Sequence, residues 1–407
     1  MVKKKNDKKI CTGIWIGILA LMMALGGCAG SESRGAAEPA GSGATENLTE
    51  QTASSDLMEK MIDKMIAGMS LREKVLQMFM ITPESLTGQG GVTAAGELTR
   101  QAIASYPVGG LVYFSSNMEN AGQLKGMLEN TSAYYEQQKA PKPFLAVDEE
   151  GGTVARIGNH ADFLVEQFED MCAVGARGNI EEAEEIGRKI GSYLSDLGFN
   201  LDFAPVADVL TNPENTVVAR RSFGSDPQLT ADMAMAVAKG LESQGICAAV
   251  KHFPGHGSTA ADTHQGYAYT DKTLDELMAA DLIPFQAAAS KEVPFIMAAH
   301  ISVPAVTGED TPCSLSKYMI TSVLREQLGY QGIVITDAMN MGAVSSQYSS
   351  EEAAVKAIEA GADIILMPAD FHQALDGVLR AVENGTISEK RIEESVKRIL
   401  KIKIIYL

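Results

Sequence analysis

Basic residues are in short supply, with 34 Lys and Arg against 52 Asp and Glu and a formal charge of −18. Removing the five lysines and one aspartate of residues 1–27 takes this to about −22, and so acidic a body is a poor partner for nucleic acid. Cysteine is scarce too, at five in 407 residues. Cys11 lies in an N-terminal apolar segment and Cys28 just after it. That leaves Cys172, Cys247 and Cys313, an odd number with apolar neighbours, so free buried thiols are expected and not a disulfide framework. No Gly-x-Gly-x-x-Gly turn follows the first candidate strand, which counts against a doubly wound dinucleotide-binding sheet. The apolar stretch at residues 10–25 is shorter than the roughly 20 residues that span a bilayer.

What is present begins with Lys3, Lys4, Lys5, Lys8 and Lys9, then that apolar stretch, then Gly26-Gly27-Cys28. This pattern reads as a signal peptide over residues 1–27. The small residues before Cys28 resemble a bacterial lipobox, so cleavage is expected to leave Cys28 as a lipidated N-terminus on the outer face of the membrane. An uncleaved anchor is the alternative, and it puts the body outside the cytoplasm as well. Residues 29–55 are mostly Gly, Ala, Ser, Thr, Glu and Pro, with Leu48 as the one sizeable apolar side chain, so residues 28–55 are expected to form a tether. Residues 56–407 are a normal size for one α/β barrel.

Within that body, short apolar runs alternate with longer amphipathic stretches. Eight runs stand out: 77–81, 110–114, 144–147, 201–206, 247–251, 294–299, 333–336 and 363–367. They are partly β-branched and bounded by Gly or Pro, as buried parallel strands are. Between them, residues 181–197 carry Ala183, Ile186, Ile190, Leu194 and Leu197 at helical spacing, and further helices are expected at 229–244, 274–290, 316–328 and 388–401. Eight strand–helix units most simply close into a (β/α)8 TIM-type barrel forming a single catalytic domain.

Barrel enzymes place their chemistry just past the strand ends. There the chain carries Asp148 with Glu149 and Glu150, Asp202, Asp208, Lys251 with His252, His300, and Asp337. Taken singly, each can be a cap or an ion pair, and Asp337 can be a helix N-cap. The loop after the fifth run holds three histidines, His252, His256 and His264. Pro254, Gly255 and Gly257 make it a shaped loop, so the His252/His256 spacing is no helical metal pair, and a metal-dependent hydrolase is the weaker reading. Asp262, two residues before His264, can fix its tautomer and favour its cation, a proton-transfer dyad. A carboxylate at Asp337 can attack an electrophilic carbon while His264 handles the proton, the division of labour that glycoside hydrolysis needs.

The Asp148-Glu149-Glu150-Gly151-Gly152 turn, Arg221-Ser222-Phe223-Gly224, the string Lys251-His252-Phe253-Pro254-Gly255-His256-Gly257, Asp262-Thr263-His264 and Thr336-Asp337-Ala338-Met339 together resemble glycoside hydrolase family 3, in its bacterial β-N-acetylglucosaminidase branch. The likeness runs in order from about Met58 to Leu407. It implies a retaining double displacement with Asp337 as nucleophile and His264, oriented by Asp262, as acid/base. It also implies that Asp148, Arg156, Arg221, Lys251 and His252 hold the terminal sugar, and that no metal or organic cofactor takes part. Arg221 is preferred to Arg220 because Ser-Phe-Gly follows it directly; for Arg156 and Arg221 a loop-bracing ion pair is the structural alternative. Relatives that act as β-glucosidases usually take their acid from a further domain, whereas here the barrel's own Asp262/His264 loop is expected to supply it. Muropeptides are the expected substrates, with chitin oligosaccharides as runner-up. A phosphorylase of the same family, or a sugar-binding lipoprotein without catalysis, are the rival functions.

Overall fold

The structure is a computed structural model that describes residues 56–259 and 268–407. The expected signal peptide, Cys28, the tether, and the Asp262/His264 pair lie outside the described residues.

Eight short strands form the centre: β1 (Phe79–Ile81), β2 (Gly110–Val112), β3 (Phe144–Val147), β4 (Leu201–Asp202), β5 (Cys247–Phe253), β6 (Phe295–Ala298), β7 (Ile333–Thr336) and β8 (Ile365–Leu366). Each pairs in parallel with its neighbours in sequence from β1 to β7, and β1 pairs with β8, Phe79 lying opposite Ile365. A parallel bridge from Ile335 to Ile364 joins β7 to the start of β8, and the Asp363 and Ile364 N–H groups both donate to Val334 O. The sheet therefore closes on itself as the expected (β/α)8 barrel. Each of these strands is buried along its whole length, which is why it reads as a continuous apolar run and not as an alternating one.

The helices pack outside. Helix Ile180–Leu197 starts at Asn179, whose side chain accepts from the Glu181 and Glu182 N–H groups, and buries Ala183, Ile186, Ile190, Leu194 and Leu197, the expected stripe. Three expectations need correction. The stretch 274–290 is two helices, Leu274–Ala279 and Ile283–Ser290. Pro284 has no N–H to continue the first helix, and the break turns the fully buried Asp281 carboxylate onto Lys272, 2.5 Å away. Residues Tyr318–Gln327 wind more widely than an α-helix, with Leu328 N–H donating to Val323 O five residues back. Of the three thiols, Cys247 and Cys313 are buried and free, but Cys172 is only half-buried, because the first turn of helix Met171–Arg177 lines an open crevice beside Arg220.

Two small ribbons sit past the strand ends. Glu149–Gly151 pairs antiparallel with Val154–Ala155, and Ala268–Tyr269 pairs in parallel with Ile301–Ser302. At the opposite end, Lys403 of helix Glu389–Tyr406 is buried, donating to Gln77 Oε1 at 2.8 Å and lying 5.0 Å above the Phe144 ring.

Candidate active site at the carboxyl ends of the strands

Asp148 follows β3 directly, and the ribbon after it fixes what comes next. Buried Glu149 accepts from the Ile157 and Gly158 N–H groups (2.8 and 2.7 Å) and from the Tyr193 hydroxyl (2.8 Å). Its own N–H donates to Asp202 Oδ1 at 2.9 Å. Glu149 is thus committed to holding the turn that carries Arg156. Burial pushes the Asp202 carboxyl well up from its ordinary value beneath the ribbon.

From Asp148 a chain of opposite charges crosses the mouth. Lys251 Nζ lies 2.8 Å from Asp148 Oδ1 and 2.7 Å from Glu150 Oε1. Glu150 accepts a two-pronged contact from Arg221, Nε to Oε2 and Nη2 to Oε1, both 2.7 Å. Arg221 Nη2 also faces His252 Nε2 at 3.4 Å, and His252 Nδ1 meets Asp208 Oδ2 at 2.7 Å. Asp208 is fully buried and its Oδ1 accepts from the His252 and His256 N–H groups (3.2 and 2.6 Å). Burial alone would raise the Glu150 carboxyl, but Lys251 and Arg221 outweigh it and hold Glu150 well below the usual carboxylate range. Asp208 is likewise lowered, burial being outweighed chiefly by His252. The His252 ring is thus held between the Asp208 carboxylate on its Nδ1 side and the Arg221 guanidinium on its Nε2 side.

Local backbone explains why β5 can deliver Lys251, His252 and His256 together. Gly255 adopts φ 126, and a β-carbon there would stand 2.9 Å from the Asp281 β-carbon. A β-carbon on Gly257 would stand 2.0 Å from Val209 O, so only glycine lets this loop lie against the segment that carries Asp208. Burial keeps the His256 imidazole below its ordinary value, and its Nδ1 lies 3.0 Å from Thr259 Oγ1.

Asp337 comes directly off β7 and is partly open to the mouth. It is not a helix cap: the next helix, Gly342–Ser345, has Met341 in that position. Its Oδ1 accepts from the Ala338 N–H at 2.7 Å. Burial alone would raise its carboxyl, yet His300, His252, the Ala338 N–H and Lys251 together bring it below the ordinary value.

Asp148, Lys251, Arg221 and His252 therefore share one network, and Asp337 feels two of its members. Arg156 stands at the edge, Nη2 3.7 Å from Asp148 Oδ2 and its guanidinium 5.8 Å over the Phe114 ring, with a buried Nε that finds no hydrogen-bond partner among the described residues. Arg220 points the other way, onto Asp170 at 2.6 Å, and its side chain is 68% exposed. Arg221 is braced as the alternative reading had it, and the same brace aims it at His252. The rim residues Glu150 and Asp208 turn out to be the anions that order the cations; the signal for them was their position just past a strand, which does not say what they meet. Among the described residues, no group of three or more His, Cys, Asp or Glu could hold a metal ion.

Comparison with known proteins places this arrangement. Residues 70–402 match the model of the glycosyl hydrolase family 3 N-terminal domain. Beta-hexosaminidase A of Pseudoalteromonas piscicida is 34% identical over 328 residues, which are 74% of this chain and 54% of that one. Beta-hexosaminidase LpqI of Mycobacterium tuberculosis is 31% identical over 346 residues, 83% of this chain and 84% of that one. The chain thus spans about half the length of the first relative and most of the second. Among solved structures, a family 3 β-N-acetylglucosaminidase from Paenibacillus sp. str. FPU-7 superposes with a TM-score of 0.77 at 36% identity, covering 83% of this chain and 62% of that one. That of M. tuberculosis LpqI does so with 0.72 at 30%, covering 82% and 94%. With the barrel, the strand-end motifs and the matched residues in agreement, the chain belongs to glycoside hydrolase family 3.

Proposed function

We propose that this protein is an exported, retaining β-N-acetylhexosaminidase that removes terminal non-reducing β-linked N-acetylglucosamine, with muropeptides or other peptidoglycan fragments as its substrates. The observation that carries the reading is the Asp337 carboxylate at the end of β7, kept ionised beside His252 and Lys251. A carboxylate in that state can attack, while the cations around it satisfy sugar oxygens that would be costly to bury unpaired.

In the first step the Asp337 carboxylate forms a bond to the anomeric carbon as the bond to the leaving oxygen breaks, and that oxygen takes a proton from His264. Water then attacks the anomeric carbon, gives a proton to His264, and the bond to Asp337 breaks, restoring both groups. Asp148 accepts hydrogen bonds from hydroxyls of the terminal sugar; Arg156, Arg221, Lys251 and His252 line the pocket. The role of His264, and of Asp262 as the group that orients it, rests on their spacing and on the family resemblance. Attachment through a lipidated Cys28 and the tether of residues 28–55 rests on the N-terminal sequence, and it puts the enzyme beside the wall, which favours wall fragments over chitin.

Release of p-nitrophenol from its β-N-acetylglucosaminide and its β-glucoside tests this, comparing wild type with Asp337→Ala and His264→Ala, with and without phosphate and chelator. Turnover of the acetamido sugar alone, collapse in both variants and indifference to chelator are expected. A rate gain in phosphate would make the enzyme a phosphorylase; an inert wild type would favour a sugar-binding lipoprotein, and loss of activity with chelator a metal enzyme.

A further inference from the structure

His300 lies two residues past the end of β6, is 1% exposed, and stands apart from the Asp148–Lys251–Glu150–Arg221 ion pairs. Its ring is gripped on both sides. Nε2 lies 3.0 Å from Ala338 O, and since a carbonyl only accepts, this nitrogen carries the proton. Nδ1 lies 2.7 Å from Ser314 Oγ, and Ser314 is itself tied to the same strand end by its N–H to Ala299 O at 3.0 Å. The residue that His300 grips is the one whose N–H holds Asp337 Oδ1. Around it, Asp337 N–H donates to Ala298 O (2.8 Å) and Met339 N–H to Leu366 O (2.9 Å), so the backbone at Asp337 is anchored to β6 on one side and β8 on the other.

We propose that His300, with Ser314 behind it, is a positioning residue for the nucleophile: by fixing Ala338 it fixes the N–H that aims the Asp337 carboxylate. The inference rests on Asp337 being the nucleophile. The imidazole also bears on the charge of that carboxylate, together with His252 and Lys251, and His256 faces the same group. Removing it should therefore misplace Asp337 and ease its protonation, while leaving the Asp148–Lys251–Glu150–Arg221 grip on the sugar alone.

The test compares full-length wild type with His300→Leu, His300→Gln and Ser314→Ala on p-nitrophenyl β-N-acetylglucosaminide across pH, with thermal unfolding of each. Gln can return an N–H to the place of Nε2. His300→Leu is expected to lose about tenfold or more in kcat with KM within about twofold, and to shift the acid limb of the rate profile to higher pH; His300→Gln recovers most of the kcat, and Ser314→Ala falls between. Should His300→Leu not fold, the Gln and Ala variants carry the comparison through the same kcat, KM and acid-limb readouts. A kcat within about twofold of wild type in His300→Leu would overturn the proposal. So would equal losses in the Leu and Gln variants with an unmoved acid limb, which would mark a merely structural histidine. An inert wild type would instead fell the hexosaminidase reading, and the inference with it.

Discussion

Glu150 sits 4% exposed between two cations; Lys251 also meets Asp148 at 2.8 Å, but among the described residues Arg221 has no second carboxylate within ion-pair distance. Breaking a buried ion pair from one side strands the other charge, at a cost on the order of 3–5 kcal/mol. Glu150→Gln should therefore lower the unfolding midpoint by several degrees and raise KM for the aryl glycoside, both read on one preparation; a variant as stable and as tight as wild type would show that the network is ornamental. The sign with pH follows from the lowered carboxyl. Stability contributed by Glu150 is present above its unfolded value and is lost as pH falls toward the folded one. Asp148, Lys251, His252 and Asp337 were legible as candidates because strand ends point at the mouth, and Arg221 only through the family resemblance and the Ser-Phe-Gly that follows it. Glu150 and Asp208 as organising anions were not: their partners lie 71 and 44 residues away, and only closure of the barrel brings Glu150 to Arg221 and Asp208 to His252.

Elements were readable wherever burial on both faces made a continuous apolar run, and less so where a local event broke the pattern. All eight strands fall within or against the expected runs, but β4 lasts only two residues, and β5 continues to Phe253, beyond the expected Lys251, into what reads as loop sequence. The periodicity of 274–290 passes through Pro284, so the break that aims Asp281 inward left no apolar gap to see. The loop after β5 makes the clearest prediction at this scale. Gly257→Ala would set a β-carbon 2.0 Å from the Val209 carbonyl, where neither partner is a side chain able to swing aside. Overpacking of this kind costs about 1–3 kcal/mol. We expect a lower melting temperature together with a fall in kcat, since Lys251, His252 and His256 hang from the same loop. Retained kinetics in Gly257→Ala would contradict the close packing drawn between this loop and the Asp208 segment.

For the molecule as a whole, chemistry lies past one end of the barrel, while the other end carries a liability of its own. Burial lowers the Lys403 ammonium to about 7, with Gln77 and the Phe144 ring as its neighbours and no carboxylate within ion-pair distance among the described residues. Between about pH 7 and the ordinary lysine value the unfolded chain binds the proton that the folded chain has shed. Stability therefore rises with pH across that window, by at most about 1.4 kcal/mol for each unit crossed. Lys403→Met removes the group, so its stability relative to wild type should grow as pH falls from 10 to 7 in urea unfolding, and a difference independent of pH would refute the assignment. This group, too, was hidden in the sequence: Lys403 sits in an ordinary basic amphipathic helix, and its burial follows from where that helix docks.

The central claim is that Asp337 becomes bonded to the sugar, and the most direct measurement is mass spectrometry of the enzyme quenched during turnover of a slow N-acetylglucosaminide with an activated leaving group. The account predicts one N-acetylhexosamine on the peptide that contains Asp337, absent from Asp337→Ala. An adduct on any other residue, or full turnover with no adduct under conditions where release of the sugar is the slower step, would contradict it.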